Sequence, residues 1–157
     1  MKDEGTVAYR TFRPISRKVE QGPLTIDLNF SDDDTISGEV TMQDQTQSVN
    51  IKTEESYVMD GPSLDIYLTN LKLSDSFSSI LRIFDTTNQL LQTYSFKVIG
   101  SETIDAYNCY KCELQSLDGP DKSQTLWIYK SDSPILVLKR SVIGEMGGAV
   151  MEMRVTN

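Results

Sequence analysis

The sequence predicts a mainly β fold, with a curved antiparallel sheet that forms a half-barrel or barrel and carries one or two short helices. Apolar side chains recur at every second position along most of the chain, the links between these runs are short and polar, and one segment has helical spacing. Short links favour an antiparallel meander. At 157 residues, the chain suits a single domain, 1–157, with a sizeable core.

The N-terminal part contains the clearest alternation. In LTIDLNF (24–30) every second side chain is large and apolar, and ISGEVTM (36–42) and SVNIK (48–52) continue the pattern. Such runs are typical of strands with one face in the core and one face in water. TVAYRTF (6–12) predicts a first strand ahead of them.

One segment, DGPSLDIYLTNLKL (60–73), has a helical pattern instead. Ser63 is suited to an N-cap, and apolar side chains follow at intervals of three and four from Leu64 to Leu71. We therefore expect a short helix from Ser63 to Leu71. A strand is predicted to resume in SDSFSSILRIF (74–84).

The C-terminal half again predicts strands, which brings the expected total to nine or ten. They lie in LLQTYSFKVIG (90–100), YNCYKCEL (107–114), QTLWIYK (124–130), PILVLKRSVI (134–143) and VMEMRV (150–155). QTLWIYK is apolar on both faces, because Trp127 and Tyr129 oppose Leu126 and Ile128. This pattern has two explanations: a strand covered on both sides, or an apolar cavity inside the half-barrel.

The segment YNCYKC (107–112) contains the only two cysteines. Alternation predicts that Cys112 is buried and that Cys109 is exposed or near the surface. Three residues of strand advance about 10 Å, whereas a disulfide needs a Cα separation of about 4.4 to 6.8 Å. The sequence has no histidine and no further cysteine to complete a zinc site. We therefore predict ordinary strand side chains, no metal site and no cofactor.

The charge of the chain limits the classes of partner. The net charge of −8 repels nucleic acid and anionic membrane surfaces, so we expect no nucleic-acid partner. No apolar run approaches the ~18 residues of a transmembrane helix. A local basic excess at Arg10, Arg13, Arg17 and Lys18 has two interpretations, recognition of an acidic partner or simple solvated charges.

The first residues, MKDEGTVAYR, have neither the apolar region nor the cleavage site of a signal peptide. Two locations are compatible with this observation. The protein is cytoplasmic, or it is exported and its signal peptide is absent from this sequence.

Residues 60–155 resemble an uncharacterised family of bacterial exported β-proteins that is similar to the LolA/LolB-type lipoprotein carriers. The resemblance rests on Gly100 and Glu102, on YKCEL (110–114) and on LWIYKSDSPILVLK (126–139). It implies a LolA-like incomplete barrel, a periplasmic or exported location, and an acyl chain or other apolar ligand on the concave face. It supplies no catalytic residues, and the arginine that gates the carriers' cavity has no identifiable counterpart here.

These observations lead to a non-enzymatic cell-envelope protein that binds an apolar or lipid-like ligand. The expected cavity lining consists of Tyr94, Phe96, Trp127, Leu136 and Leu138. The alternative is a structural or protein-interaction domain with a fully packed core. An enzyme that uses carboxylates such as Asp105 or Glu113 is not expected, because no motif joins a pair of acids. The oligomeric state is left open.

Overall fold

The computed structural model describes residues 2–30, 34–118, 123–143 and 149–154. The chain divides into two compact units, one containing residues 1–64 and 82–91 and the other residues 65–81 and 92–157. The expectation of a single domain stays a prediction.

Five antiparallel strands form the first sheet, in chain order. They are β1 (Lys2–Val7), β2 (Pro14–Gln21), β3 (Leu24–Phe30), β4 (Thr35–Met42) and β5 (Gln45–Lys52). The predicted first strand was misplaced, because β1 ends at Val7 and a turn follows. In this turn Arg10 and Phe12 both have positive φ, a conformation that no strand continues through.

The remaining strands form a curved seven-stranded half-barrel sheet in the order β12-β11-β10-β9-β8-β7-β6. Its strands are β6 (Val58–Met59), β7 (Ser78–Asp85), β8 (Leu90–Ile104), β9 (Tyr107–Ser116), β10 (Ser123–Tyr129), β11 (Leu136–Ile143) and β12 (Ala149–Arg154). Strands β6 and β7 pair in parallel, whereas the pairs from β8 to β12 are antiparallel. The predicted fold class is therefore confirmed, and the described residues contain twelve strands where nine or ten were expected.

Helix α1 (Pro62–Thr69) is the one helix in the described residues. It begins one residue earlier than predicted, with Pro62 at the first helical position, where a proline ring is favourable. The carbonyl of Gly61 accepts a hydrogen bond from the Leu64 amide at 3.1 Å. Ser63 therefore lies within the first turn and is not the N-cap.

The core of the first unit follows the predicted alternation. Ile26, Leu28 and Ile36 are at most 1% exposed. The ring of Phe30 packs edge-on against Phe84, with centroids 5.9 Å apart. Burial of these side chains stabilises the sheet by roughly 1.5 to 3 kcal/mol each.

A buried charge cluster also belongs to this unit. Arg17 is 4% exposed, and its Nε and Nη2 lie 2.8 and 2.9 Å from the two carboxylate oxygens of Asp3. Its Nη1 donates to the carbonyl of Asp60 at 2.7 Å. The guanidinium thus ties β1 and β2 to the segment that leads into α1.

Candidate ligand-binding groove

A groove of about 640 Å³ lies in the second unit, beside one end of strands β9 and β10. Its walls come from the segment after α1 and from the turn between β10 and β11. The lining residues are Thr69, Asn70, Leu71, Lys72, Leu73, Tyr110, Ile128, Tyr129, Lys130, Ser131, Asp132 and Pro134. Its volume falls within the range of about 300 to 1,000 Å³ that is usual for small-molecule sites.

The end of helix α1 forms one wall of the groove. The side chain of Asn70 donates to the carbonyl of Ile66 at 2.8 Å, and the Thr69 hydroxyl donates to the same carbonyl at 2.9 Å. The same carbonyl also accepts the backbone amide of Asn70 at 3.2 Å, so three donors converge on it in the last turn of the helix. The chain then leaves the helix and places Leu71 and Leu73, both half-buried, along the groove.

The opposite wall is held by backbone pairing at the end of β10. The Lys130 amide donates to the Asn108 carbonyl at 2.9 Å, and the Tyr129 amide donates to the Ile135 carbonyl at 3.0 Å. Ile128 is only 1% exposed. The accessible apolar surface of the groove therefore comes from Leu71 and Leu73, beside a strand end whose backbone is paired.

Lysines lie beside this apolar surface. The Lys130 ammonium donates to the Ser101 hydroxyl at 2.6 Å, lies 3.3 Å from an Asp75 carboxylate oxygen, and sits 4.3 Å from the centre of the Tyr110 ring. Lys72 is an exposed second cation on the rim. The groove thus combines the apolar side chains of Leu71 and Leu73 with polar lining and a charged margin, which carries Lys72, Lys130 and the carboxylate of Asp132. Apolar and charged groups side by side suit an amphiphile.

The five residues predicted to line a cavity do not share one face of the sheet. Phe96 pairs with Leu114, and Cys112 pairs with both Val98 and Leu126, so Tyr94 and Phe96 lie on the face of Leu126. Trp127 and Leu138 pair with each other on the opposite face. Leu136 pairs with Ile128 beyond a bulge, which returns it to the first face. None of the five lines the groove, and their contact with a ligand stays a prediction.

The expectation for Cys109 was wrong, because both cysteines are fully buried and free. Cys109 packs in a cluster with Trp127, Val137 and Leu138 on the face that alternation assigned to the surface. Burial raises the pKa of the Cys112 thiol to about 12, and burial raises that of Cys109 as well. Protonated thiols are poor nucleophiles and poor metal ligands. Both side chains are therefore structural.

The face that carries Trp127 holds a charged cluster that the sequence did not reveal. The indole Nε1 donates to a Glu102 carboxylate oxygen at 3.0 Å, and the Lys111 ammonium lies 3.0 Å from the same oxygen. The cations of Lys111 and Arg140 each lie 5.4 Å from the indole ring centre. The hydrogen bond from Trp127, followed by Lys111, lowers the pKa of Glu102.

The basic residues near the N-terminus do not form a shared patch. Arg13 and Lys18 lie 3.6 and 2.8 Å from carboxylate oxygens of Asp34 and Asp27, and Arg17 is buried in its own cluster. Arg10 stacks on the exposed ring of Tyr9. Intramolecular pairing therefore accounts for three of these four cations. The interpretation as solvated charges fits Arg13 and Lys18, whose side chains are exposed, but was wrong for Arg17, which is buried.

The carboxylates considered for catalysis are separate ion-pair partners. Asp105 lies 3.4 Å from Arg154, and Glu113 lies 2.7 Å from Lys97. The described residues contain no group of three or more His, Cys, Asp or Glu side chains placed to hold a metal ion. They also contain no helix with the length and apolar character that crossing a bilayer requires.

Comparison with protein families gives a match to the family described as "Protein of unknown function (DUF3108)", over residues 1–154. The chain belongs to the DUF3108 family. Comparisons of this DUF3108 chain with curated proteins and with solved structures give no match.

Proposed function

We propose that this DUF3108 protein is a non-enzymatic binding protein of the cell envelope that holds an amphiphilic, lipid-like ligand in the groove. The observation that carries the proposal is the groove itself, which has a volume of about 640 Å³ and brings Leu71 and Leu73 together with polar side chains and with Lys72 and Lys130. An apolar tail would lie along Leu71 and Leu73. An anionic head group would face Lys72 and Lys130.

The strength of such binding would come chiefly from contact with Leu71 and Leu73. Each methylene transferred from water contributes about 0.8 kcal/mol, whereas the charge of Lys130 is already shared with Asp75. The lysines would instead orient the ligand. The pKa values of the two thiols, raised by burial, support a non-enzymatic role, because neither thiol is a ready nucleophile.

The envelope location rests on the resemblance to exported β-proteins. Fractionation of the natural host, with mass spectrometry of the recovered protein, tests it. Recovery in the periplasmic or membrane fraction is the expected result, and recovery only with cytoplasmic markers would contradict it.

Binding is tested with a dansyl-labelled undecanoic acid as the probe. Leu73→Arg should weaken its affinity by at least about tenfold, since the new charge would occupy an apolar wall. Ile66→Arg is the matched control, because Ile66 lies on α1, is 51% exposed and does not line the groove. The control should bind within about twofold of the wild type.

The same titration distinguishes the competing explanations. Equal loss in both variants would indicate a general effect on the unit and would contradict the groove as the site. The absence of probe binding to the wild type, together with a clean apo mass in native mass spectrometry of protein purified from the envelope, would contradict the ligand-binding proposal.

A further inference from the structure

Strand β12 is the outer strand of the seven-stranded sheet in the part of the chain that the structure describes. Three of its side chains are large, apolar and at least half exposed: Val150 at 58%, Met151 at 57% and Met153 at 50%. Val142, which pairs with Val150 from β11, is also exposed. An open edge of this kind presents unpaired backbone groups to another strand.

The other sheet edges have the features that prevent such pairing. Strand β1 carries Lys2 and Glu4 as an exposed ion pair, and strand β6 is only two residues long. Strand β5 begins with four exposed polar residues, 45–48. Charge, shortness and polarity are the usual protections of an edge strand. The apolar character of β12 therefore sets it apart from these strands.

We infer that β12 pairs antiparallel through residues 152–154 with the same residues of a second copy of this chain, around a two-fold axis at Met153. Such an axis, perpendicular to the sheet, pairs only residues that lie on the same face. An axis at Glu152 would place Glu152 directly opposite Glu152 of the second copy, so that two like charges meet. An axis at Met151 would place Val150 opposite Glu152 of the second copy. An axis at Met153 instead places Glu152 opposite Arg154 twice.

Charges already present in each copy favour this register. Glu152 lies 2.9 Å from Arg140, and Arg154 lies 3.4 Å from Asp105. The pairing register within the sheet puts Arg140, Glu152 and Arg154 on one face. Association at Met153 would join these pairs into a row of alternating sign, from Arg140 through Glu152 to the second copy's Arg154 and Asp105. Opposite charges across a strand pair are stabilising.

On the other face of the pairing, the residues of β12 itself are apolar, next to Ser141 and Lys139 of β11. Met151 and Met153 lie on the face opposite Glu152, because side chains alternate along a strand. At the two-fold axis Met153 would contact Met153 of the second copy. Methionine suits such a contact because its side chain is flexible and polarisable.

Sedimentation velocity over a concentration series, from low micromolar to several hundred micromolar, tests the association. The wild type should form a dimer. Met153→Lys places two ammonium groups against each other and should raise the dissociation constant at least about tenfold. The control is Ile80→Lys, which replaces a 61% exposed side chain on β7 and should leave the dimer intact.

Cysteine cross-linking tests the register separately and does not depend on the charged variant folding. Met153→Cys should give a disulfide-linked dimer under mild oxidation, because directly opposed residues approach to disulfide distance. Met151→Cys should link far more slowly, and the wild type, whose thiols are buried, not at all. A wild type that stays monomeric throughout the series, or faster linking through Met151→Cys, would overturn the inference.

Discussion

Strands β3 and β10, one in each compact unit, both lie between two neighbouring strands, but they differ in how many of their faces are buried. In β3, Leu28 is fully buried and its neighbour Asn29 is exposed. In β10, three consecutive residues, Leu126, Trp127 and Ile128, are at most 3% exposed. The first strand has water on one face, whereas the second is covered on both. Alternation in a sequence therefore indicates burial only where one face of the sheet is solvated.

Alanine substitutions in the two strands give the largest expected effects. Trp127→Ala should lower the free energy of unfolding in urea by about 3 to 5 kcal/mol, because it removes a large buried ring. Asn29→Ala should change it by no more than about 0.5 kcal/mol. If Trp127→Ala cost as little as Asn29→Ala, β10 would not be covered on the face of Trp127.

Arg17 and Lys18, two neighbouring charged residues on β2, show how burial changes the contribution of an ion pair to stability. Arg17→Met should destabilise the protein by about 3 to 5 kcal/mol, because it leaves the carboxylate of Asp3 without its buried partner. Lys18→Met removes an ion pair with Asp27 that is exposed on both sides. Urea unfolding of the Lys18 variant should match the wild type, and equal loss in both variants would contradict the buried role of Arg17.

Alanine substitutions at two glycines with positive φ distinguish the energetic cost of backbone strain from that of a steric clash. A methyl group added at Gly22 would meet no other atom within 4 Å, so Gly22→Ala should cost only the strain, about 1 kcal/mol. At Gly61 the same methyl group would collide with the Arg17 guanidinium. Gly61→Ala should therefore cost at least about 1 kcal/mol more in thermal or urea unfolding. Identical losses would show that the guanidinium moves aside freely.

The smallest expected effect is on the pH dependence of stability, and it arises from the buried thiol of Cys112 on β9. Burial raises the pKa of Cys112 from 9.0 to about 12, so the folded state holds the proton more tightly than the unfolded state. This contribution to stability is complete below about pH 9 and is lost as the pH rises towards 12. Cys112→Ala should therefore lose stability less steeply than the wild type above pH 9, as measured by urea unfolding.

The first unit supplies an internal reference for that measurement. Burial raises the pKa of Tyr57 to about 12 as well, and Tyr57 titrates in both proteins. Only the difference between their pH profiles therefore reports on Cys112. Identical profiles would contradict the burial of its thiol. Thiol-reactive dye should also label the native wild type slowly at pH 8 and rapidly after unfolding, because the folded thiols are protonated and enclosed.

Local sequence patterns were sufficient to predict the mainly β class, the half-buried strands of the first sheet, and the one short helix to within two residues at either end. Alternation indicates strands, spacing of three and four indicates the helix, and polar links indicate turns. The same patterns showed that QTLWIYK is apolar on both faces, and left open why.

Tertiary contacts, and not local sequence, decided which faces of the strands are buried. Cys109 was expected near the surface, yet it packs with Trp127 and Leu138, because the second face of β10 is enclosed. The pairing register separated Phe96 from Trp127, although both had been expected to line one cavity. The groove joins Leu71 and Ile128, residues far apart in the chain. Local patterns cannot encode such contacts, because burial and cavities arise from segments that meet only after the chain has folded.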